Sequence, residues 1–176
     1  YNYRIVSFGH WQPATVTMIN STVSGNTSSD GGGIYGAGGI TLTNSIIANN
    51  QGEDCYQPIT SMGHNLDSDD SCGLTDAADK PNTNPLLGPL QDNGGPTHTH
   101  GLIEGSPAID AIPISHCDLN EDQRGEPRPQ GTSCDIGAFE AAVEPEPEPE
   151  ADLAVSKSVD DASPQEGGTV TFSVSV

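Results

Sequence analysis

The sequence predicts an all-β chain that begins as a stack of parallel β-helix coils. Three observations predict it. The 176 residues include 21 glycines and 14 prolines, with aromatics at 5% and charged residues at 17%, a composition that favours short β-branched segments and turns. No stretch keeps apolar residues at helical spacing over three turns. Most tellingly, Val16-Thr-Met-Ile-Asn-Ser-Thr-Val-Ser-Gly-Asn26 aligns without gaps on Ile40-Thr-Leu-Thr-Asn-Ser-Ile-Ile-Ala-Asn-Asn50, at an offset of 24 residues. A fixed period of this size with short strands fits one coil of a parallel solenoid.

Each part of the repeat has a physical role. Alternation turns Val16 and Met18 inward and Thr17 outward. Asn20 falls at the bend, and Asn44 stacks on it, so the two are expected to start an asparagine ladder along the stack. Ser21 and Val23 resume the inward phase, as do Ser45 and Ile47. Residues 30–39 are turn material around a short strand at Ile34. Tyr1-Asn2-Tyr3 resembles the stretch at Tyr35, so the chain is expected to enter in mid-coil. A longer loop from Arg4 to Pro13 carries Phe8, His10 and Trp11, a candidate contact loop. One degenerate coil is expected within Ile59-Thr-Ser-Met-Gly-His-Asn-Leu66. The organisation is then terminal coils over 1–76, an irregular C-terminal cap over 77–141, a Pro/Glu linker over 142–151, and a strand pair over 152–176. The cap region is punctuated by prolines and by an Asn93-Gly-Gly-Pro96 turn. Solenoid ends need such caps. In the linker, proline imposes an extended backbone and the glutamates repel one another, so residues 144–150 span about 22 Å.

Charge excludes several functions. Five basic residues stand against 25 acidic ones, for a net charge of −20. Nucleic acid and anionic membrane surfaces are excluded as partners, because both need clustered Lys and Arg. The four cysteines form two local pairs, Cys55 with Cys72 and Cys117 with Cys134, each 17 residues apart. Two local disulfides are the simplest reading, although four cysteines allow three pairings. Disulfides imply an oxidising compartment. No signal peptide or apolar span is visible. Since the chain starts inside a repeat, an export signal is expected upstream.

Four ordered motifs carry a family resemblance. They are Asn84-Pro-Leu-Leu-Gly-Pro-Leu-Gln-Asp-Asn-Gly-Gly-Pro96, Gly105-Ser-Pro-Ala-Ile-Asp110, Asp122-Gln-Arg-Gly-Glu-Pro-Arg-Pro129 and Cys134-Asp-Ile-Gly-Ala-Phe-Glu140. Over roughly residues 14–140 the chain resembles the C-terminal part of bacterial extracellular β-helix proteins of the choice-of-anchor and polymorphic-outer-membrane-protein-like kind. The resemblance implies a right-handed β-helix at the cell surface or secreted, and no known reaction. The tail has its own resemblance. Ala154 to Val159 and Thr169 to Val176 alternate as half-buried strands do, and they look like the first two strands of an immunoglobulin-like bacterial surface module. A whole sandwich needs about seven strands.

The bases are Arg4, Lys80, Arg124, Arg128 and Lys157, none of them on the repeat strands. Those strands also carry no Asp or Glu, so a carboxylate pair for glycoside hydrolysis is absent there. Two acidic stretches are candidate calcium loops: Asp67, Asp69 and Asp70, and the D-x-N-x-D run Asp118, Asn120 and Asp122. The second lacks the glycine and the distal glutamate of a full calcium loop. His98 and His100 are a surface pair with weak zinc potential. Arg124 and Arg128 are expected to brace the cap through carboxylates and carbonyls. The leading expectation is a non-catalytic extracellular structural or adhesive module, with a surface glycan or protein as ligand. The alternatives are a filament subunit that self-associates head to tail and is completed by strand donation, and a fragment of a carbohydrate-active β-helix enzyme.

Overall fold

The computed structural model describes residues 15–29, 31–36, 39–142, 156–159, 163, 165–168 and 172–175. The loop with Phe8, His10 and Trp11 and nearly all of the Pro/Glu linker lie outside the described residues. The chain divides into two compact units, Tyr1–Val143 and Glu144–Val176.

Among the described residues the regular secondary structure is β apart from one 3₁₀ turn. In the first unit, β1 (Val16–Ile19), β3 (Ile40–Thr43) and β5 (Thr60–Ser61) form one parallel sheet, and β2 (Thr22–Ser24), β4 (Ile46–Ala48) and β6 (Leu66–Asp67) form another. The offset of 24 found in the sequence is the pairing register: Val16 lies beside Ile40, Met18 beside Leu42 and Val23 beside Ile47. The third layer pairs Thr41 with Thr60 and Ile46 with Leu66, so it is shorter by a few residues. Ile34, expected as a strand, is a single parallel bridge to Cys55, and Thr27 bridges Gln51 in the same sense.

The bends explain the residue types at the corners. Asn20, Asn44 and His64 take the equivalent place in three successive layers, with φ of 44°, 52° and 55°. Left-handed backbone costs most residues 1–2 kcal/mol, about what Cβ crowding imposes, and asparagine tolerates it best after glycine. The next bend uses Gly25 and Asn49, at 71° and 59°.

Two hydrophobic cores follow from the alternation. Leu42, Ile47, Cys55, Cys72 and Leu74 pack inside the stack, with Met18, Val23, Ile34, Ile40 and Ile59 at their margin. Ile46, Ala48 and Leu66 face the other way and pack on Ala108, Ile112, Cys134 and Ile136. All three residues of β4 are therefore buried. The second core lies on the outer side of β4 and β6. Parallel stacking runs past residue 76, because Leu66 bridges Lys80 and the Thr83 amide donates to the Asp67 carbonyl at 2.9 Å. Residues 76–83 thus close β6, and the longer segment that follows covers the flank of β2, β4 and β6. It does so because the outward side chains of β4 and β6 are apolar and need a cover.

That flank segment contains an antiparallel pair, β7 (Leu87–Gln91) and β8 (Thr99–Leu102), with a bulge between Leu87 and Leu90. The Asn93–Pro96 turn joins them as expected. A 3₁₀ turn follows at Ile114–His116. The second unit holds one antiparallel pair, β9 (Ser156–Val159) and β10 (Phe172–Ser175), with Phe172 beside Val159.

Candidate functional site

Two polar networks occupy the places where the sequence pointed to function. The first links the layers. The Ser21 amide donates to Ser45 Oγ at 3.1 Å, the Ser45 amide to Asn65 Oδ1 at 2.9 Å, and the Asn65 amide to Asp79 Oδ1 at 2.9 Å. Each layer's bend is thus capped by a side chain from the next. Asn65 is fully buried and also donates to the Leu42 carbonyl at 3.1 Å and to Ser61 Oγ at 2.8 Å. The expected pair is present but weaker: Asn44 Nδ2 reaches Asn20 Oδ1 at 3.5 Å while making a 3.0 Å bond to the His116 carbonyl. The ladder's main line therefore runs one residue later than expected, through Ser21, Ser45 and Asn65. The repeated Asn-Ser at 20–21 and 44–45, followed by His-Asn at 64–65, carried that signal.

A parallel device lies at the next corner. The Asn26 amide donates to Asn50 Oδ1 at 2.9 Å, and Asn50 Nδ2 donates to Asp54 Oδ1 at 2.9 Å. The other oxygen of Asp54 accepts the Ser68 amide and hydroxyl at 2.9 and 2.6 Å.

The second network holds the flank segment. Arg128 and Glu140 form an ion pair at 2.9 Å with both side chains almost wholly buried. Arg128 also donates to the carbonyls of Asp135 and Gly137 at 2.8 and 2.6 Å. Glu140 accepts the Asp135 amide at 3.0 Å and the Gln130 amide at 3.2 Å. Burial raises the pKa of Glu140 and of Asp135. Asp135 accepts the amides of Asp110 and Ala141 at 2.7 and 2.6 Å. Arg124 pairs with Asp122 at 2.8 Å, donates to the Glu140 carbonyl at 2.6 Å, and lies 3.6 Å over the Phe139 ring. The four motifs that carried the resemblance converge here. The network joins 122–129 to 134–140, Asp110 closes on Asp135, and Gly95 lies so near Arg124 that a Cβ would meet its Cα at 2.6 Å. Their shared part is structural bracing. The segment then docks on the stack, where the Gly137 amide meets the Asn44 carbonyl at 2.9 Å and the Ala138 amide meets Thr22 Oγ1 at 3.0 Å.

Both disulfides form in the local pairing. Cys55–Cys72 spans 4.8 Å between Cα atoms and Cys117–Cys134 spans 5.9 Å.

The two acidic stretches named as candidate calcium loops already use several of their carboxylate oxygens within the fold. Asp67 is fully buried, and its oxygens accept the amides of Asp70, Cys72 and Asn82 at 2.8, 3.1 and 3.1 Å. Asp69 accepts the Asp54 and Ser71 amides, at 2.9 and 3.0 Å. Burial would raise Asp69, but the Ser71 hydroxyl and these amides outweigh it and leave its pKa below the usual value. Asp70 is exposed at the bend. In the other stretch, burial works against Asp122, but the amides of Glu140, Arg124 and Glu126 and the Arg124 side chain hold its pKa low. Asp118 and Asn120 stay exposed at the surface. Carboxylates already holding two or three amide donors have little capacity left for a cation that takes six to eight oxygens. Among the described residues no three His, Cys, Asp or Glu side chains come together as a metal site. The Nδ1 of His100 lies 2.7 Å from the Gly88 carbonyl, while His98 is exposed.

Comparison with known proteins returned no matching family model, no matching curated protein and no matching solved structure. Among the described residues no helix is long and apolar enough to cross a membrane.

Proposed function

We propose that this chain is the terminal part of a right-handed parallel β-helix in an extracellular protein, and that it serves as a structural and adhesive surface module without turnover. One observation carries the reading. A 24-residue repeat coincides with the register of two parallel sheets, and side-chain acceptors at the bends tie each layer to the next. A stack of this kind is stiff, extendable by adding layers, and independent of any cofactor. Two disulfides fit an oxidising compartment, and a strongly acidic surface fits solubility outside the cell. The buried carboxylates that a hydrolase would need free are engaged by amides and guanidinium groups, which favours binding over catalysis. The second unit has strands that alternate in sequence like the opening of an immunoglobulin-like module.

Bead adhesion tests the reading. Beads coated with the full chain should be retained on extracellular matrix and cell surfaces, with no reducing or unsaturated sugar released from neutral or acidic polysaccharides. Sustained product release would overturn it in favour of an enzyme, and beads no stickier than albumin-coated ones would remove the adhesive part.

A second reading, a filament subunit completed by strand donation, draws on β9 and β10. They are the only strands described in their unit, and two strands alone are marginally stable. Sedimentation over a hundredfold concentration range separates the two readings, since a filament subunit should grow and a stalk should remain monomeric.

A further inference from the structure

From the surface of the stack we infer a binding site for a neutral glycan, centred on Tyr35 and Tyr56. The inference rests on the adhesive reading and gives it a ligand. The two rings lie with centroids 4.7 Å apart and planes tilted by 33°, yet Tyr35 is 64% and Tyr56 43% exposed. An aromatic pair of this size normally gains by burial. Here the backbone holds it in solvent. The Ile34 amide donates to the Asp54 carbonyl at 2.8 Å and the Tyr56 amide to the Ile34 carbonyl at 2.9 Å, which fixes one tyrosine a layer above the other. The Cys55–Cys72 disulfide anchors the residue before Tyr56. Gly31 completes the seat, since a Cβ there would meet Tyr56 Cβ at 2.7 Å. The ordering entropy of both rings is therefore met by folding, before any ligand arrives, as in a preorganised site.

The surroundings select the ligand. A groove of about 60 Å³ opens at the residues that follow each tyrosine in the chain, Gly36 and Gln57, and is lined also by Ile40, Pro58 and Thr60 among others. That volume accepts a hydroxymethyl or acetamido substituent but not a sugar ring. A pyranose ring then lies on the outer face of the stacked pair, its C–H face against one tyrosine ring and its hydroxyls toward the phenol oxygen, Gln57 and Thr60. The chain's 25 acidic against 5 basic residues repel polyanions, so the glycan is neutral.

The test is titration of the full chain, followed by calorimetry and saturation-transfer NMR, with cellohexaose, mannohexaose and chitohexaose as neutral probes and hexagalacturonate as the anionic one. At least one neutral hexamer should bind, with saturation transfer from the tyrosine ring protons to its sugar C–H protons. Tyr35→Ala and Tyr56→Ala should each weaken it about tenfold, while Tyr35→Phe and Tyr56→Phe should stay within a few-fold. If the alanine variants misfold, the tyrosine ring signals of the unaltered chain and the phenylalanine pair decide. Unchanged affinity in the double alanine variant, no neutral hexamer bound at millimolar concentration, or a preference for hexagalacturonate would each overturn the site. Coated beads that still adhere in any of those cases leave the adhesive reading standing and sink only this ligand assignment.

Discussion

The repeat stack and the flank segment that covers it are held together by opposite means. In the stack, one amide-to-side-chain hydrogen bond recurs: Ser21 to Ser45, Ser45 to Asn65 and, with a carboxylate as the last acceptor, Asn65 to Asp79. Each link is modest, and loss of one leaves its neighbours intact. The flank has no period and relies on two guanidinium groups, one of them almost wholly buried with Glu140. A buried charge that loses its partner costs far more than a neutral link that loses one. The comparison teaches that periodic structure distributes its stability, whereas irregular structure concentrates it in a few residues.

The sharpest way to break the comparison is Arg128→Met. It leaves Glu140 and the carbonyls of Asp135 and Gly137 buried without their donor. The expected loss is about 3–5 kcal/mol, read as a fall in melting temperature of about 10 °C. Amide exchange should rise first at Gly137 and Ala138, which dock the flank on the stack, and later at Leu42 and Ile47. Simultaneous exchange in both regions would show that the two share one cooperative unit and would defeat the distinction.

Next in size are the disulfides, one in each region. Replacing Cys117 and Cys134 by serine, or Cys55 and Cys72, should cost about 3 kcal/mol in either case, from the similar loops they close. Denaturant midpoints check this. The flank bridge should loosen residues 108–138, and the stack bridge should loosen the third layer and the Tyr56 seat. A loss confined to one bridge would show that the other region is braced sufficiently by its polar network.

What the sequence allowed follows the same division. The period was legible because Val16, Met18 and Val23 meet Ile40, Leu42 and Ile47 in a repeated local environment, and repetition amplifies weak propensity into a register. The local cysteine pairs were legible from spacing, and Arg124 and Arg128 as braces from their acidic neighbourhood. The flank's position was not. Ile46 stands outward where the first layer has Thr22, and that single apolar replacement was the sign that the sheet would be covered. The surroundings of the acidic stretches were not legible either, for a physical reason. Acidic turns look alike in sequence whether their carboxylates face water or accept amides, and the amide donors to Asp67 come from residues as far away as Asn82. Nothing in a one-dimensional pattern distinguishes the two.

Within the stack, Asn65→Ala tests how local the ladder is. It strips the Ser45 amide of its acceptor in a fully buried place. A buried donor left unpaired costs about 1–3 kcal/mol. Ser45→Ala, which removes a partly buried link, should cost about 1 kcal/mol. Equal losses at the two positions would contradict the ranking by burial.

The smallest effect sharpens the comparison at the one point where stack and flank meet through titrating groups. His64 occupies the corner place that Asn20 and Asn44 hold in the other layers, and its ring lies 5.0 Å from that of His116 on the flank's 3₁₀ turn. Burial lowers its pKa below 6.5, the nearby His116 lowers it further and Lys80 adds to this, while Asp76 and Asp79 pull the other way. The unfolded chain therefore takes up this proton more readily than the folded one. The stability from neutral His64 is complete above the ordinary histidine value and is lost as pH falls through the lowered folded value. His64→Asn keeps a residue suited to the left-handed corner and removes the titration. Melting temperatures between pH 7.5 and 5 should fall more steeply for the unaltered chain than for the variant, since the carboxylates are common to both and cancel in the difference. Parallel curves would mean that the flank meets this corner without sensing its charge, and that the seam between the two regions rests on the apolar packing of β4 and β6 and on the Asn44 and Thr22 bonds.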